Sequence, residues 1–322
     1  MSSAVLPRAM MAVVLGIVAG LTQAADPQQL LVRMQKAAGS LNYDGIFVYQ
    51  HGDQLETLRI IHKMTDGVMR ERLVSLNGAP REILRTGNEV RCYLPDENAV
   101  MIEHRRADSR NFPALLPDSL TVLKKNYHIQ IAGSGRVAGR AALAAQIKPR
   151  DAYRYGYVLW ADKSTGLLLK ASLIDESGNV IEQYMFTQIS IDRAIPDSDL
   201  APQHPAKGII SHRADDQQPP ASTRRWEALK LPPGYTLNAH MRRKLPARRQ
   251  PVEHLVYSDG LAVVSVFVEP VDDATQGALS GLTHMGAVHA YGKVVDGHQI
   301  TVLGETPAMT VDMIGASVAS RP

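Results

Sequence analysis

The sequence predicts an α+β fold, mainly antiparallel β, divided into two domains. Between residues 43 and 191, short runs rich in Val, Ile, Tyr and Thr follow one another, separated by turn signals such as Asn77-Gly78, Thr86-Gly87-Asn88, Thr165-Gly166 and Ser177-Gly178-Asn179. Parallel strands need crossovers of a dozen or more residues, so strands this closely spaced must pair as an antiparallel meander. Between about Pro196 and Ser222 the apolar pattern gives way to five prolines among Asp and Gln, a composition that cannot bury a core. Beyond it the strand pattern returns around Asp259-Gly260 and Asp296-Gly297, each a strong hairpin signal between apolar runs.

In chain order, Arg8 is the only charge before an apolar run from Ala9 to Leu21, which Thr22-Gln23-Ala24 follows. A positive start, a short apolar middle and small residues at −3 and −1 describe a secretory signal peptide over 1–24, cleaved near Ala24. The 13-residue run is short of the roughly 20 that a spanning helix needs. The mature protein is thus expected outside the cytoplasm, in the periplasm. Asp26-Pro27 then opens a helix, with Leu30, Leu31, Met34, Ala37 and Ala38 at helical spacing and Gly39 as its stop. Strands are predicted at 43–50 and 56–62, joined as a hairpin through Gly52-Asp53, and then at 68–75, 82–85, 89–94, 99–104, 127–133, 143–149, 154–161, 167–175 and 179–191. Pro113–Lys125, with Leu115, Leu116, Leu120 and Leu123, interrupts this pattern and reads as short helices lying over one face of the sheet.

These features set the domain bounds at 25–196 and 223–322, with a linker at 197–222. In the second domain, hairpins join 252–257 to 261–268 and 287–295 to 299–303, and Pro307–Ser320 closes the chain as a weakly amphipathic helix interrupted by Gly315.

Hydrophobic residues make up 45% of the 322-residue chain, enough for a core, and the formal net charge of +3 becomes +2 when Arg8 is removed (3 − 1). The single cysteine, Cys92, permits no internal disulfide; it reads as a half-buried thiol, with a bridge to a second chain as the alternative. Motifs for catalysis are absent. Gly133-Ser134-Gly135 has the wrong spacing for a nucleophile elbow and reads as a turn, and Gly133-x-Gly135-x-x-x-Gly139 misses the dinucleotide fingerprint, so no cofactor is expected. His289 and His298 flank a predicted hairpin and could face each other, but two histidines alone do not make a metal site, and none is expected.

Two features point to binding. Arg242, Arg243, Lys244, Arg248 and Arg249 fall within ten residues. Export removes nucleic acid as their partner and leaves an acidic protein segment, anionic envelope lipid, or a solvated basic loop. In the first domain, alternation places Tyr43, Gly45, Phe47 and Tyr49 on one face, and Ile181, Met185, Ile189 and Ile191 give another strand an apolar face. Phe47, Tyr49, Leu115, Leu116 and Met185 are therefore candidates for an apolar pocket able to hold a lipid tail, or simply for the core.

Beyond single motifs, Ser40-Leu41-Asn42-Tyr43, Gly78-Ala79-Pro80-Arg81-Glu82, Arg154-Tyr155-Gly156-Tyr157-Val158-Leu159-Trp160, Leu231-Pro232-Pro233-Gly234-Tyr235, Leu255-Val256-Tyr257-Ser258-Asp259-Gly260-Leu261 and the run from Gly286 to His298 resemble the MucB/RseB family, in order along nearly the whole mature chain. The resemblance implies an N-terminal domain like the lipoprotein carriers, an incompletely closed antiparallel barrel with helices over its concave face, and a smaller C-terminal partner-binding domain. It also implies a periplasmic, non-enzymatic regulator. Such a regulator binds the periplasmic segment of a membrane-spanning anti-sigma factor and shields it from site-1 proteolysis until lipopolysaccharide or a related envelope lipid releases it. Self-association stays open, and the alternative is a periplasmic lipid or lipoprotein carrier.

Overall fold

The structure, a computed structural model, describes residues 26–104, 112–117, 119–203, 224–243, 250–271 and 279–321, with the backbone alone at 103, 104 and 243. The predicted signal peptide and most of the predicted linker lie outside the described residues. Asp26 caps the first helix, α1 (Pro27–Ser40), accepting from the Gln28 amide at 2.8 Å, and the helix buries Leu30, Leu31, Met34, Ala37 and Ala38.

Eleven strands follow: β1 (Tyr43–His51), β2 (Gln54–Thr65), β3 (Val68–Ser75), β4 (Glu82–Thr86), β5 (Glu89–Leu94), β6 (Ala99–His104), β7 (Tyr127–Val137), β8 (Arg140–Pro149), β9 (Gly156–Asp162), β10 (Leu168–Ile174) and β11 (Val180–Ile191). They form one antiparallel sheet in the order β6-β5-β4-β3-β2-β1-β11-β10-β9-β8-β7. Two meanders are thus joined where β1 pairs with β11. The edges β6 and β7 do not meet in the strand order, so the sheet does not close into a barrel. Helix α1 lies against β7, β8 and β10. The core beneath it gathers Tyr43, Phe47, Ile147, Leu159, Leu167, Leu168 and Phe186. A 3-10 turn at Leu120–Val122 and the one-turn helix α2 (Leu123–Asn126) add Leu123, which is fully buried, as the sequence predicts for Pro113–Lys125.

The proline-rich segment leaves this sheet late. Leu200 packs with Ile61 and Ile195, while Asp197 takes Lys63 at 2.7 Å and Arg70 at 3.0 Å, so residues 197–200 remain strapped to β2 and β3.

The second half contains β12 (Trp226–Ala228), β13 (Thr236–Arg243), β14 (Val252–Ser258), β15 (Val263–Pro270), β16 (Gly281–Met285), β17 (Val288–Val295), β18 (His298–Gly304), α3 (Ala308–Ser317) and β19 (Val318–Ser320). Six strands pair in the order β13-β14-β15-β18-β17-β16, and β12 pairs with β19. Helix α3 covers one face of the sheet, with Val311 and Ile314 against Val264, Val266, Ile300 and Val302. Gly315, which weakens the helical pattern in the sequence, has a packing reason: a Cβ there would lie 2.3 Å from the Tyr291 ring.

Two local expectations are corrected. Gly133-Ser134-Gly135 is not a turn but lies inside β7, where the register shifts between Ile131 and Gly133 and Gly133 takes a φ of +131° that favours glycine. His289 and His298 do not face each other. His289 lies opposite Gly304 and His298 opposite Val295, because both belong to one hairpin whose register is set at Asp296-Gly297.

Candidate functional site

The two halves meet along a seam built around one buried ion pair. Arg154, in the loop before β9, bonds the carboxylate of Asp259 in the β14–β15 turn, and neither side chain is exposed. The Tyr127 hydroxyl, at the start of β7, donates to the same Asp259 oxygen at 2.9 Å. The other Asp259 oxygen accepts the amides of Leu261 at 2.9 Å and Ala262 at 2.8 Å, holding its own turn. Asp151 also grips the Arg154 guanidinium, at 2.9 and 3.0 Å, and the Pro233 carbonyl accepts from it at 2.5 Å. The guanidinium carbon lies 5.6 Å from the Tyr127 ring centroid and 5.2 Å from that of Tyr235, within cation–π range of both. Burial, then the Asp259 charge, raises the pKa values of Tyr127 and Tyr235, so both stay neutral hydroxyls at physiological pH.

Around this pair, the Tyr235 hydroxyl donates to the Tyr153 carbonyl at 3.2 Å and Thr310 to the same carbonyl at 2.7 Å. Gly234, at φ +82°, lets the second domain approach closely, since a Cβ there would stand 2.4 Å from the Asn126 amide. Tyr155, Leu173 and Ala287 supply an apolar contact between the domains, flanked by Tyr157 and Ile181.

The apolar-pocket candidates are brought together only in part. Phe47 and Leu116 are buried, and Tyr49 and Leu115 are half-buried against the same core. Met185 is half-buried against the same core, but it pairs with Val48, out of phase with Phe47 and Tyr49; Tyr184 and Phe186 occupy the matching positions on β11. A bulge between Ile46 and Phe47 makes that phase invisible to simple alternation. Phe112 closes the group, with its ring 5.2 Å from Phe47, 5.3 Å from Tyr184 and 5.1 Å from Phe186.

Of the basic run, Arg242 and Arg243 fall in β13 rather than in a loop, while the Arg243 side chain and Lys244, Arg248 and Arg249 lie outside the described residues. Arg242 lines a cavity of about 360 Å³ with Arg225, Trp226, Glu253 and His298. His240 holds Glu253 at 2.6 Å. Among the described residues Arg225 and Arg242 are both exposed and have no ion-pair partner, so the cavity offers two uncommitted guanidinium groups. The sequence did not indicate Arg225, Trp226 and His298 as cavity neighbours, since the pairing of β12 with β19 is long-range. No group of three or more His, Cys, Asp and Glu suited to a metal occurs among the described residues.

The MucB/RseB N-terminal domain profile matches residues 26–204, and the MucB/RseB C-terminal domain profile matches residues 220–319. The chain belongs to the MucB/RseB family. It is 34% identical over 300 residues to the sigma factor AlgU regulatory protein MucB of Pseudomonas aeruginosa, covering 92% of each chain. It is 30% identical over 301 residues to the sigma-E factor regulatory protein RseB of Salmonella typhimurium, again covering 92% of each. Among solved structures, MucB in complex with MucA(peri) superposes with a TM-score of 0.72 at 30% identity, covering 92% of this chain and 100% of that one. MucB alone gives 0.67 at 30% identity, covering 93% and 99%. Both sheets and the seam between them therefore fall within the similarity, and the family is one of sigma-factor regulatory proteins, not of enzymes.

Proposed function

We propose that this chain is a periplasmic regulator that binds the periplasmic segment of a membrane-spanning anti-sigma factor, shields it from site-1 proteolysis, and lets go when a lipopolysaccharide-like envelope lipid binds. The observation that carries this reading is the similarity of the chain, across both domains, to MucB captured with MucA(peri). The predicted signal peptide supports the periplasmic address. Within the described residues, no helix is long and apolar enough to cross a membrane.

The cavity lined by Arg225, Arg242 and His298 is the candidate site for an anionic group of the partner or lipid, and Arg243, Lys244, Arg248 and Arg249 follow Arg242 in the sequence. Guanidinium groups without an ion-pair partner suit carboxylate or phosphate, which their planar fork can bind in two places at once. A carrier role is the weaker reading. Phe47 and Leu116 are already buried by the protein's own segments, so an acyl chain would have to displace Phe112 and Leu116 to reach the concave face.

A reconstituted cleavage assay tests the proposal: the purified mature chain is added to the anti-sigma factor's periplasmic domain and the site-1 protease. The expected result is slowed cleavage, restored by lipopolysaccharide. The double charge reversal Arg225→Glu with Arg242→Glu is expected to weaken anionic binding by about 2 kcal/mol, roughly thirtyfold, with a shallower salt dependence. An unchanged cleavage rate would refute the regulatory role. Unchanged affinities across a salt series would return the cavity to a solvated surface.

A further inference from the structure

Away from the Arg154–Asp259 pair, the seam contains a second polar cluster, with the opposite charge balance. Glu182 on β11 stands directly opposite His51, the last residue of β1. The Glu182 side chain is 6% exposed, and its Oε2 lies 4.0 Å from His51 Nδ1. Among the described residues neither atom has a hydrogen-bond partner. The next pair on the same face, Tyr49 and Tyr184, stacks ring on ring at 4.5 Å, and both side chains favour the charged form of the Glu182 carboxyl. The second domain closes over this group. Gly286, in the β16–β17 turn, comes so near that a Cβ on it would lie 1.9 Å from the His51 imidazole. Glu305, between β18 and α3, brings a second carboxyl to act on Glu182 and His51.

We infer that the seam binds a proton at the Glu182–His51–Glu305 cluster, so that docking of the two domains depends on pH and the protein responds to acidity as a signal in its own right. The remaining neighbours do not neutralise the pair. Leu173, across from Glu182 on β10, is apolar, and Gly286 and Ala287 carry no charge. Glu56, which acts on Tyr49, is itself paired with Arg81 at 3.2 Å. On the second domain, His289 bonds the Thr306 carbonyl beside Glu305 at 2.8 Å, with the His284 ring 5.7 Å away. Among the described residues, no lysine or arginine acts on either carboxyl.

Loss of solvent, and then the Glu305 charge, raises the Glu182 pKa to about 7. Glu305 keeps a large exposed surface while protein atoms crowd its carboxyl; its pKa is also raised, and solvent screens the effect. Separating the domains would rehydrate Glu182 and remove it from Glu305, returning it toward the ordinary carboxylate range. Docking therefore takes up a proton: it strengthens as pH falls through about 7, and that contribution is lost as pH rises through the same value. One linked proton changes the docking constant by up to roughly tenfold per pH unit. Apart from this cluster, the buried Arg154–Asp259 pair holds the seam, so the cluster tunes a contact that the pair maintains.

The inference does not depend on which partner the protein binds, and the mature chain alone tests it. Hydrogen–deuterium exchange at pH 6, 7 and 8, corrected for intrinsic exchange rates, reads opening of the seam in peptides covering 180–186 and 281–292. Wild-type opening is expected to rise several-fold from pH 6 to pH 8. Glu182→Gln and Glu305→Gln, neutral and nearly isosteric, are each expected to reduce that slope, and Glu182→Gln to hold the seam at pH 8 as firmly as wild type does at pH 6. Seam protection independent of pH in the wild type would overturn the inference, as would a slope that survives in both variants.

Discussion

Asparagine at position 259 would keep the volume of Asp259 and remove its charge from the centre of the seam. The Asp259 oxygen toward Leu261 and Ala262 is mimicked by the new amide oxygen, so the β14–β15 turn keeps its two backbone bonds. The other side of the group then presents an NH2 to two donors, the Arg154 guanidinium and the Tyr127 hydroxyl. Arg154, with no exposed side-chain surface, is left with Asp151, which is 26% exposed, and the Pro233 carbonyl, both already engaged. Removing one partner of a buried pair costs about 3–5 kcal/mol, most of it from the charge left behind. At ~2–4 °C per kcal/mol for a protein near this size, the unfolding midpoint should fall by about 10 °C. The two tryptophans localise the effect, since Trp160 lies in β9 of the first domain and Trp226 in β12 of the second. Urea unfolding followed by their emission should show the two domains separating into distinct transitions in Asp259→Asn. Replacing both partners, Arg154→Met with Asp259→Leu, should recover most of the loss, because no charge is then stranded. A loss below about 1 kcal/mol in the single variant, or a double variant no better than the single, would refute the assignment of the pair as the anchor of the seam.

Two other substitutions test local reasoning. At the β9–β10 turn, burial pushes the Asp162 carboxyl up, but Arg140, Ser164 and Thr165 outweigh it and hold the pKa well below the usual range. A depressed pKa gives stability that is present above the unfolded value near 4 and lost as pH falls further, so Asp162→Asn should cost about 1–3 kcal/mol at pH 7 and flatten the loss between pH 4 and pH 2 in acid denaturation. Gly315→Ala should destabilise by about 1–3 kcal/mol despite the better helix propensity of alanine, because its Cβ meets Tyr291 at 2.3 Å; thermal melts should show recovery when Tyr291→Leu is added, and a stabilised single variant would reject the contact.

The strands of the first sheet were legible because antiparallel neighbours are joined by local turns, and each turn is written in Gly, Asn and Asp. Asn77 shows how much one such residue does, since it accepts the Thr57 amide at 2.6 Å and donates to the Leu55 carbonyl at 3.0 Å. Strands β13 and β16 gave no comparable signal. In β13 the alternate positions Asn238, His240 and Arg242 are polar, and the strand ends in the basic run. All five residues of β16 are exposed, as expected of an edge strand that packs no side chain into a core. The phase of β11 was hidden by its bulge against β1, so Met185 rather than Phe186 looked like the core residue.

The seam was illegible for a different reason. Arg154 and Asp259 are 105 residues apart, and each has a local explanation that satisfies a reader of the sequence: Arg154 follows Asp151 by three, and Asp259-Gly260 is a hairpin turn. One Asp259 oxygen does hold the turn, and only the other crosses to the first domain. This double use bears on how the protein could transmit a signal. A ligand bound to one domain can change what the other binds only if the two arrangements of the seam differ in free energy with and without it. Beside the apolar contacts at Tyr155, Leu173 and Ala287 and at Leu261, many contacts across the seam are polar and directional: the Arg154 fork, the Tyr127, Tyr235 and Thr310 hydroxyls, and the Glu182 cluster. Directional bonds weaken steeply with distance and angle as domains slide. A seam built this way favours discrete docked and undocked arrangements, so a modest change in charge at Glu182 can shift the balance between them without disturbing either core.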